Sequence, residues 1–219
     1  MSKPRLLDLF CGAGGAAVGY ARSGFEVVGV DINPQPNYPF EFHQADAMTY
    51  PLAGFNYIHA SPPCQHYSVG TTAPGARDKH PDLLPATRTR LEQSGATYII
   101  ENVPGAPMEP TITLCGEMFG LRVIRHRHFE INAELFAPKH VKHHPPVHRA
   151  ASDGMRFVKR SYYMQVAGHG GESFSFKFTD WCDAMGIDWM TKPELIESIP
   201  PAYTAWIGQQ LAFGVNLPT

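Results

Sequence analysis

Three observations predict an α/β fold with a doubly wound, largely parallel sheet. Short apolar runs rich in β-branched residues alternate with helical patterns over the first hundred residues. A glycine-rich turn follows the first of these runs. Acids or a cysteine stand where successive strands should end, which is where such sheets bind ligands.

The elements follow in order. "RLLDLF" is a short strand that runs into the glycines, and "AAVGYARSG" is a helix stopped by Gly24. "FEVVGVD" is a second strand ending in Asp31. "FEFHQAD" holds a third and "FNYIHAS" a fourth. A Gly/Pro/Thr-rich loop at 69–78 precedes a helix in "PDLLPATRTRLEQSG" and a fifth strand in "TYIIENV". After residue 130 Pro, Gly and His dominate, which predicts a small irregular or β-rich insertion. Helical patterning returns in "TDWCDAMGIDWMTKPELIESIPPAYTAWIGQQLAF", with Pro200 and Pro201 at the start of the last helix, where proline costs least.

The 219 residues suit one ordinary domain, and 43% hydrophobic residues suffice for a core. The formal net charge of −2 does not by itself suggest a polyanion partner. Residues 121–160 differ: nine Lys or Arg face three acids there, a local excess of six. That is an electrostatic footprint for nucleic acid or an ordinary solvated loop. The four cysteines show no C-x-x-C spacing and no disulfide framework. No apolar run approaches the roughly 20 residues that span a bilayer. A soluble cytoplasmic protein with reduced thiols is expected.

In "DLFCGAGGAA", Gly12-x-Gly14-x-x-Ala17 fits a dinucleotide fingerprint, though small residues simply abound there. Asp31, nineteen residues after Gly12, can accept from ribose hydroxyls, and Asp46 in "QADAM" from an adenine amino group. Asp8 inside the first strand disfavours a pyrophosphate. Such an acid-lined site suits the cationic end of S-adenosylmethionine; the bland alternative is a plain βα turn. In "SPPCQHYS", two prolines fix the backbone before Cys64, which is either a nucleophile at the cofactor mouth or a buried structural thiol. Glu101 ends strand five. Arg125 and Arg127, two apart, share a side if their segment is extended.

In this order, "LDLFCGAGG", "VVGVD", "QADA", "SPPCQHYS", "IIENVPG", "RHRHFEI" and "IPPAYTAWIGQQLA" resemble the DNA cytosine-5 methyltransferase family over residues 5–131 and about 193–213. The resemblance implies a Rossmann-like S-adenosylmethionine-dependent methyltransferase fold. It implies a catalytic and cofactor-binding part at 1–131, a small target-recognition insertion at 132–178, and C-terminal helices at 179–219 that return to the catalytic part. By resemblance the catalytic residues are Cys64, Glu101, Arg127 and the supporting Arg125. Asp8, Phe10, Cys11, Gly12, Gly14, Gly15, Asp31, Ile32, Asp46, Ala47 and Pro63 would contact the cofactor, whose product is S-adenosylhomocysteine. Asn102 would orient a loop.

The implied partner is double-stranded DNA, bound by a monomer without a membrane. Ser68, Arg77 and Lys79 would meet it from the loop after Cys64, and Lys139, Lys142, Lys159 and Arg160 from the basic stretch. The chain is short for this family, so a short or relaxed target site is expected. Many members carry Gly-Asn in the last motif, where this chain has Glu197-Ser198-Ile199-Pro200-Pro201. The histidines of "HVKHHPPVH" match no common zinc spacing, and no metal is expected. The competing readings are the same chemistry on a free cytosine nucleotide, and a non-catalytic DNA-binding module.

Overall fold

The computed structural model describes residues 3–67, 80–140, 143, 164, 166 and 176–213. Seven strands form one sheet: β1 (Arg5–Leu9), β2 (Glu26–Asp31), β3 (Glu41–Gln44), β4 (Tyr57–Ala60), β5 (Thr97–Asn102), β6 (Ile112–Leu114) and β7 (Arg127–Ile131). Their spatial order is β3-β2-β1-β4-β5-β7-β6. The first five are mutually parallel, while β7 runs antiparallel to both β5 and β6. The helices are α1 (Gly15–Arg22), α2 (Leu84–Glu92), α3 (Phe178–Met185), α4 (Lys192–Glu197) and α5 (Pro201–Phe213). The five strands and the helices read from sequence are all present, and α5 begins at Pro201 as expected.

The period of two along each strand sorts the core into two layers. Leu6, Ile99, Phe129 and Ile131 face α1 and α5, packing with Ala16, Ala17, Tyr20, Tyr203 and Ile207. Leu7, Leu9, Val28, Val30, Ile58 and Ile100 face the other way, onto Leu84 and Leu91 of α2. Sheet strands buried on both faces read as near-continuous apolar runs, which is why they were legible. A third cluster joins Trp181, Ala184, Met185 and Leu195 of α3 and α4 to Val123 and to Ala13 of the glycine-rich turn.

The strand order reverses between β1 and β4, and this switch point places the site. Just past the carboxyl end of β1 lies the glycine turn, and just past that of β4 lies Ser61-Pro62-Pro63-Cys64. Ligands of open α/β sheets bind in the crevice outside the carboxyl ends at such a point. The N–H of Ser61 still donates to the Leu9 carbonyl at 3.2 Å, so the two segments leave the sheet together.

Candidate active site

The antiparallel strand brings the last component. Because β7 runs against β5, its first residues arrive at the carboxyl end of β5. In register, Glu101 pairs with Phe129 and Asn102 with His128. Arg127 Nε and Glu101 Oε1 form an ion pair at 2.9 Å, with side chains only 13% and 8% exposed. On the other side of Glu101, the buried Asn102 Nδ2 donates to the Pro62 carbonyl at 3.0 Å. Asn102 Oδ1 accepts from the Val103 N–H at 2.9 Å. One side chain therefore ties the end of β5 to the Pro-Pro-Cys turn, the positioning role the sequence suggested for it.

Cys64 is partly exposed and carries a free thiol, so it is not sealed in the core. Burial pushes its pKa above the ordinary thiol value; Arg127 pulls it down, Glu101 pushes it up and Arg125 pulls it down again. These couplings put the thiol, the carboxylate and both guanidinium groups in one electrostatic neighbourhood.

Arg125 does not reach toward a base. Its guanidinium donates to the carbonyls of Val166 at 2.7 Å and Ile196 at 2.6 Å, and it is buried. Its own carbonyl accepts from the Tyr203 hydroxyl at 2.6 Å. Burial, with Arg127 beside it, lowers its pKa to about 9. Its expected supporting role is thus that of a brace joining the strand of Arg127 to α4 and to Val166. The fork of Arg125 is already occupied by backbone carbonyls, which sequence spacing could not reveal.

On the cofactor side, Phe10 has φ 56°, the one left-handed non-glycine among the described residues. Strain of that kind persists where the surroundings over-determine it. Gly12 and Gly14 continue the turn, and the Gly12 N–H donates to Asp31 Oδ2 at 3.0 Å. Asp31 Oδ1 accepts from the Asn33 N–H at 2.9 Å. Ile32 beside it is 66% exposed, an apolar side chain left open at the end of β2. Asp46 is exposed at the end of the next segment, accepting from the Met48 N–H at 2.8 Å, and Ala47 is buried beneath it. Pro63 is partly exposed next to Cys64.

Two of the residues expected at the cofactor have buried side chains. Asp8 is fully buried, and neither of its oxygens nor the hydroxyl of nearby Tyr38 has a hydrogen-bond partner. Burial and then Asp31 push its pKa well above the carboxylate range, against a lowering by Tyr38. The Asp8 carboxyl is thus enclosed, whereas Asp31 is partly exposed and Asp46 exposed at the ends of their segments. Cys11 points its thiol into the core, which leaves only its backbone to face a ligand.

A Cβ on Gly15 would lie 1.9 Å from Ser198 Oγ and 2.6 Å from the Ile199 carbonyl. That glycine admits the C-terminal segment, which closes against the turn despite lacking Gly-Asn. Trp189 Nε1 also donates to the Ala13 carbonyl at 2.9 Å, a second strut of the turn that sequence pattern did not expose. Of the expected DNA contacts, Lys139 is exposed. Ser68, Arg77, Lys79, Lys142, Lys159 and Arg160 lie outside the described residues.

A glycine turn at the switch point of a doubly wound sheet, with Asp31 accepting from its backbone, defines a Rossmann-like architecture. More specifically, residues 4–109, just under half of the chain, match the family model of the C-5 cytosine-specific DNA methylases. Its overall fold is shared with solved structures of low identity. A protein described as a candidate DNA modification methyltransferase encoded within an E. coli prophage matches with TM-score 0.62 and 16% identity, over 98% of this chain and 100% of that one. The methyltransferase EhMeth of Entamoeba histolytica gives TM-score 0.62 at 14% identity over 96% and 98%. Dnmt2 of S. pombe gives 0.62 at 14% over 98% and 99%. No curated protein matches the chain.

Proposed function

We propose that the protein transfers a methyl group from S-adenosylmethionine to carbon 5 of a cytosine flipped out of double-stranded DNA. The observation that carries this reading is the convergence of Cys64, Glu101 and Arg127 beside the glycine turn at the switch point. The open Ile32 flank, the strained Phe10 and the carboxylate of Asp31 fit an adenosine, with its base against the apolar side chain and its ribose against the acid.

Carbon 5 of cytosine is a weak nucleophile. In the proposed sequence the Cys64 thiolate adds to carbon 6, and the electron pair of the 5,6 double bond moves toward carbon 5. Glu101 accepts from the exocyclic amine and favours protonation at N3, and the proton on N3 draws electron density out of the ring and eases the attack. Arg127 holds the base carbonyl, and Arg125 and Asn102 fix the segments that carry these groups. S-adenosylmethionine supplies the methyl group as an electrophile and departs as S-adenosylhomocysteine. Loss of the carbon 5 proton to a base and expulsion of the Cys64 thiolate then restore the double bond. A stacked duplex hides carbon 6, so flipping at a few kcal/mol precedes the attack.

No described helix is long and apolar enough to cross a membrane. The four free cysteines suit a reducing cytoplasm.

Trapping tests the reading directly. A duplex carrying 5-fluorocytosine, whose carbon 5 cannot release a proton, should form a covalent complex that needs S-adenosylmethionine and disappears in Cys64→Ala. Bisulfite sequencing of DNA from expressing cells should then show the target site. Turnover of a cytosine mononucleotide without any DNA adduct would move the substrate to the free nucleotide. Duplex binding with neither adduct nor turnover would leave a binding module.

A further inference from the structure

We propose that Cys115, His126, His140 and His143 form a structural zinc site that pins the start of β7. The four residues come from three places: the end of β6, the residue before β7, and the chain leaving β7. Their sequence pattern, C-x10-H-x13-H-x2-H, resembles no common zinc motif, so only the fold could assemble it. One potential ligand atom from each residue lies within 4.8 Å of all the others.

Three of the six spacings, all from His143 Nε2, match the edges of a zinc tetrahedron, and the others lie within 4.8 Å. His143 Nε2 lies 3.1 Å from His126 Nε2 and 3.2 Å from His140 Nε2. It lies 3.6 Å from Cys115 Sγ. Zinc bonds of about 2.0–2.1 Å to nitrogen and about 2.3 Å to sulfur put two nitrogens about 3.3 Å apart and a nitrogen and a sulfur about 3.6 Å apart.

Hydrogen bonding alone does not account for the cluster. A ring nitrogen has one proton or one in-plane lone pair, and His143 Nε2 faces three polar atoms at once. Its other nitrogen settles the tautomer. His143 Nδ1 contacts the Glu117 carboxylate, which can only accept, so in the neutral imidazole Nδ1 carries the proton and Nε2 turns its lone pair to the centre. A carboxylate behind a ligating imidazole is a recurrent feature of zinc sites. Three imidazoles and one thiolate suit zinc better than magnesium or calcium, which prefer oxygen. Four protein ligands leave no open position, which makes the site structural rather than hydrolytic.

The position gives the site its purpose. His126 stands between Arg125 and Arg127, and its side chain leaves an extended segment on the side opposite theirs. An ion there would hold the start of β7 against the 3-10 turn Gly116–Phe119, and so hold Arg127 at Glu101. It would also anchor the first part of the basic segment to the catalytic body.

The test uses untagged full-length protein and reads metal rather than activity, so it stands or falls apart from the methyl transfer. Elemental analysis after dialysis should find about one zinc per chain. After stripping, Co²⁺ should bind with a thiolate-to-metal charge-transfer band and tetrahedral ligand-field bands. His140→Ala, at an exposed ligand, and Cys115→Ser should each abolish stoichiometric binding, while Cys182→Ser retains it. Glu117→Gln should weaken affinity about 10–100-fold. Circular dichroism of His140→Ala checks that it stays folded. A stripped wild type that binds neither Zn²⁺ nor Co²⁺, a cobalt spectrum without thiolate character, or full binding by both ligand variants would overturn the proposal.

Discussion

Cys64 meets two opposed demands. A nucleophile must be reachable and ionisable, yet a thiol in a crevice loses the water that stabilises its thiolate. Here burial has the larger effect and raises the pKa, with Arg127 the strongest opposing influence. The free enzyme thus keeps the thiol protonated at neutral pH. The rate of Cys64 alkylation by iodoacetamide should therefore rise with pH through a midpoint above the ordinary thiol range. Removing the positive charge in Arg127→Gln should move that midpoint further up. Removing the negative charge in Glu101→Gln should move it down. Peptide mass spectrometry in a Cys182→Ser background isolates the signal, since Cys11 and Cys115 are buried. A midpoint below the ordinary range, or one indifferent to both charges, would show that the thiol does not share their neighbourhood.

At the scale of elements, β4 carries a buried polar residue that ties α1 to the segment following β4. The fully buried His59 shares a hydrogen bond of 3.0 Å with the Tyr20 hydroxyl of α1 through Nδ1. It shares another of 3.0 Å with Ser61 Oγ, just before the Pro-Pro-Cys turn, through Nε2. Burial lowers its pKa from 6.5 to about 3, so it is neutral in the folded chain. As pH falls below about 6.5 the unfolded chain takes up this proton first. His59 then costs stability by about 1.4 kcal/mol per pH unit until about pH 3, and has no such effect above pH 6.5. His59→Gln keeps a donor and an acceptor but cannot titrate. Urea denaturation between pH 6 and pH 4 should show a shallower loss of stability in the variant; an unchanged slope would mean that His59 is solvated. In "FNYIHAS" this histidine looked like any strand residue, because the Tyr20 hydroxyl that satisfies it lies 39 positions away. The same limit explains β6 and the direction of β7. Three residues of Ile-Thr-Leu give too little periodicity to read, and Arg127 reaches Glu101 only because its strand enters antiparallel. Local signals did show β1, β2, β4 and β5, the glycine turn, Cys64 and Glu101. What they could not show were contacts made across the sheet: the brace at Arg125, the enclosure of Asp8 and the four-residue cluster around His143.

At the scale of the molecule, a chain with a formal charge of −2 has no net attraction for DNA, so its affinity must come from how charge is distributed. The excess of basic residues between 121 and 160 begins just before β7 and continues past His143. Lys139 is exposed beside His140, and Lys142 adjoins His143 in sequence, so a fixed ion would set where this charge leaves the sheet. If Lys142, Lys159 and Arg160 each neutralise a phosphate, binding releases a counterion at each. Duplex affinity should then fall linearly in log K against log salt. Changing all three to Gln should reduce that slope by about 2.7, at about 0.9 per contact. The loss should be nearly independent of sequence, because phosphate contacts position the duplex without reading it. Fluorescence anisotropy with duplexes of different sequence, at several salt concentrations, measures both quantities. A slope unchanged by the triple substitution would mean that the basic stretch is only a solvated surface. A wild-type slope near zero would go further, because a protein that makes no phosphate contacts does not hold DNA by its backbone.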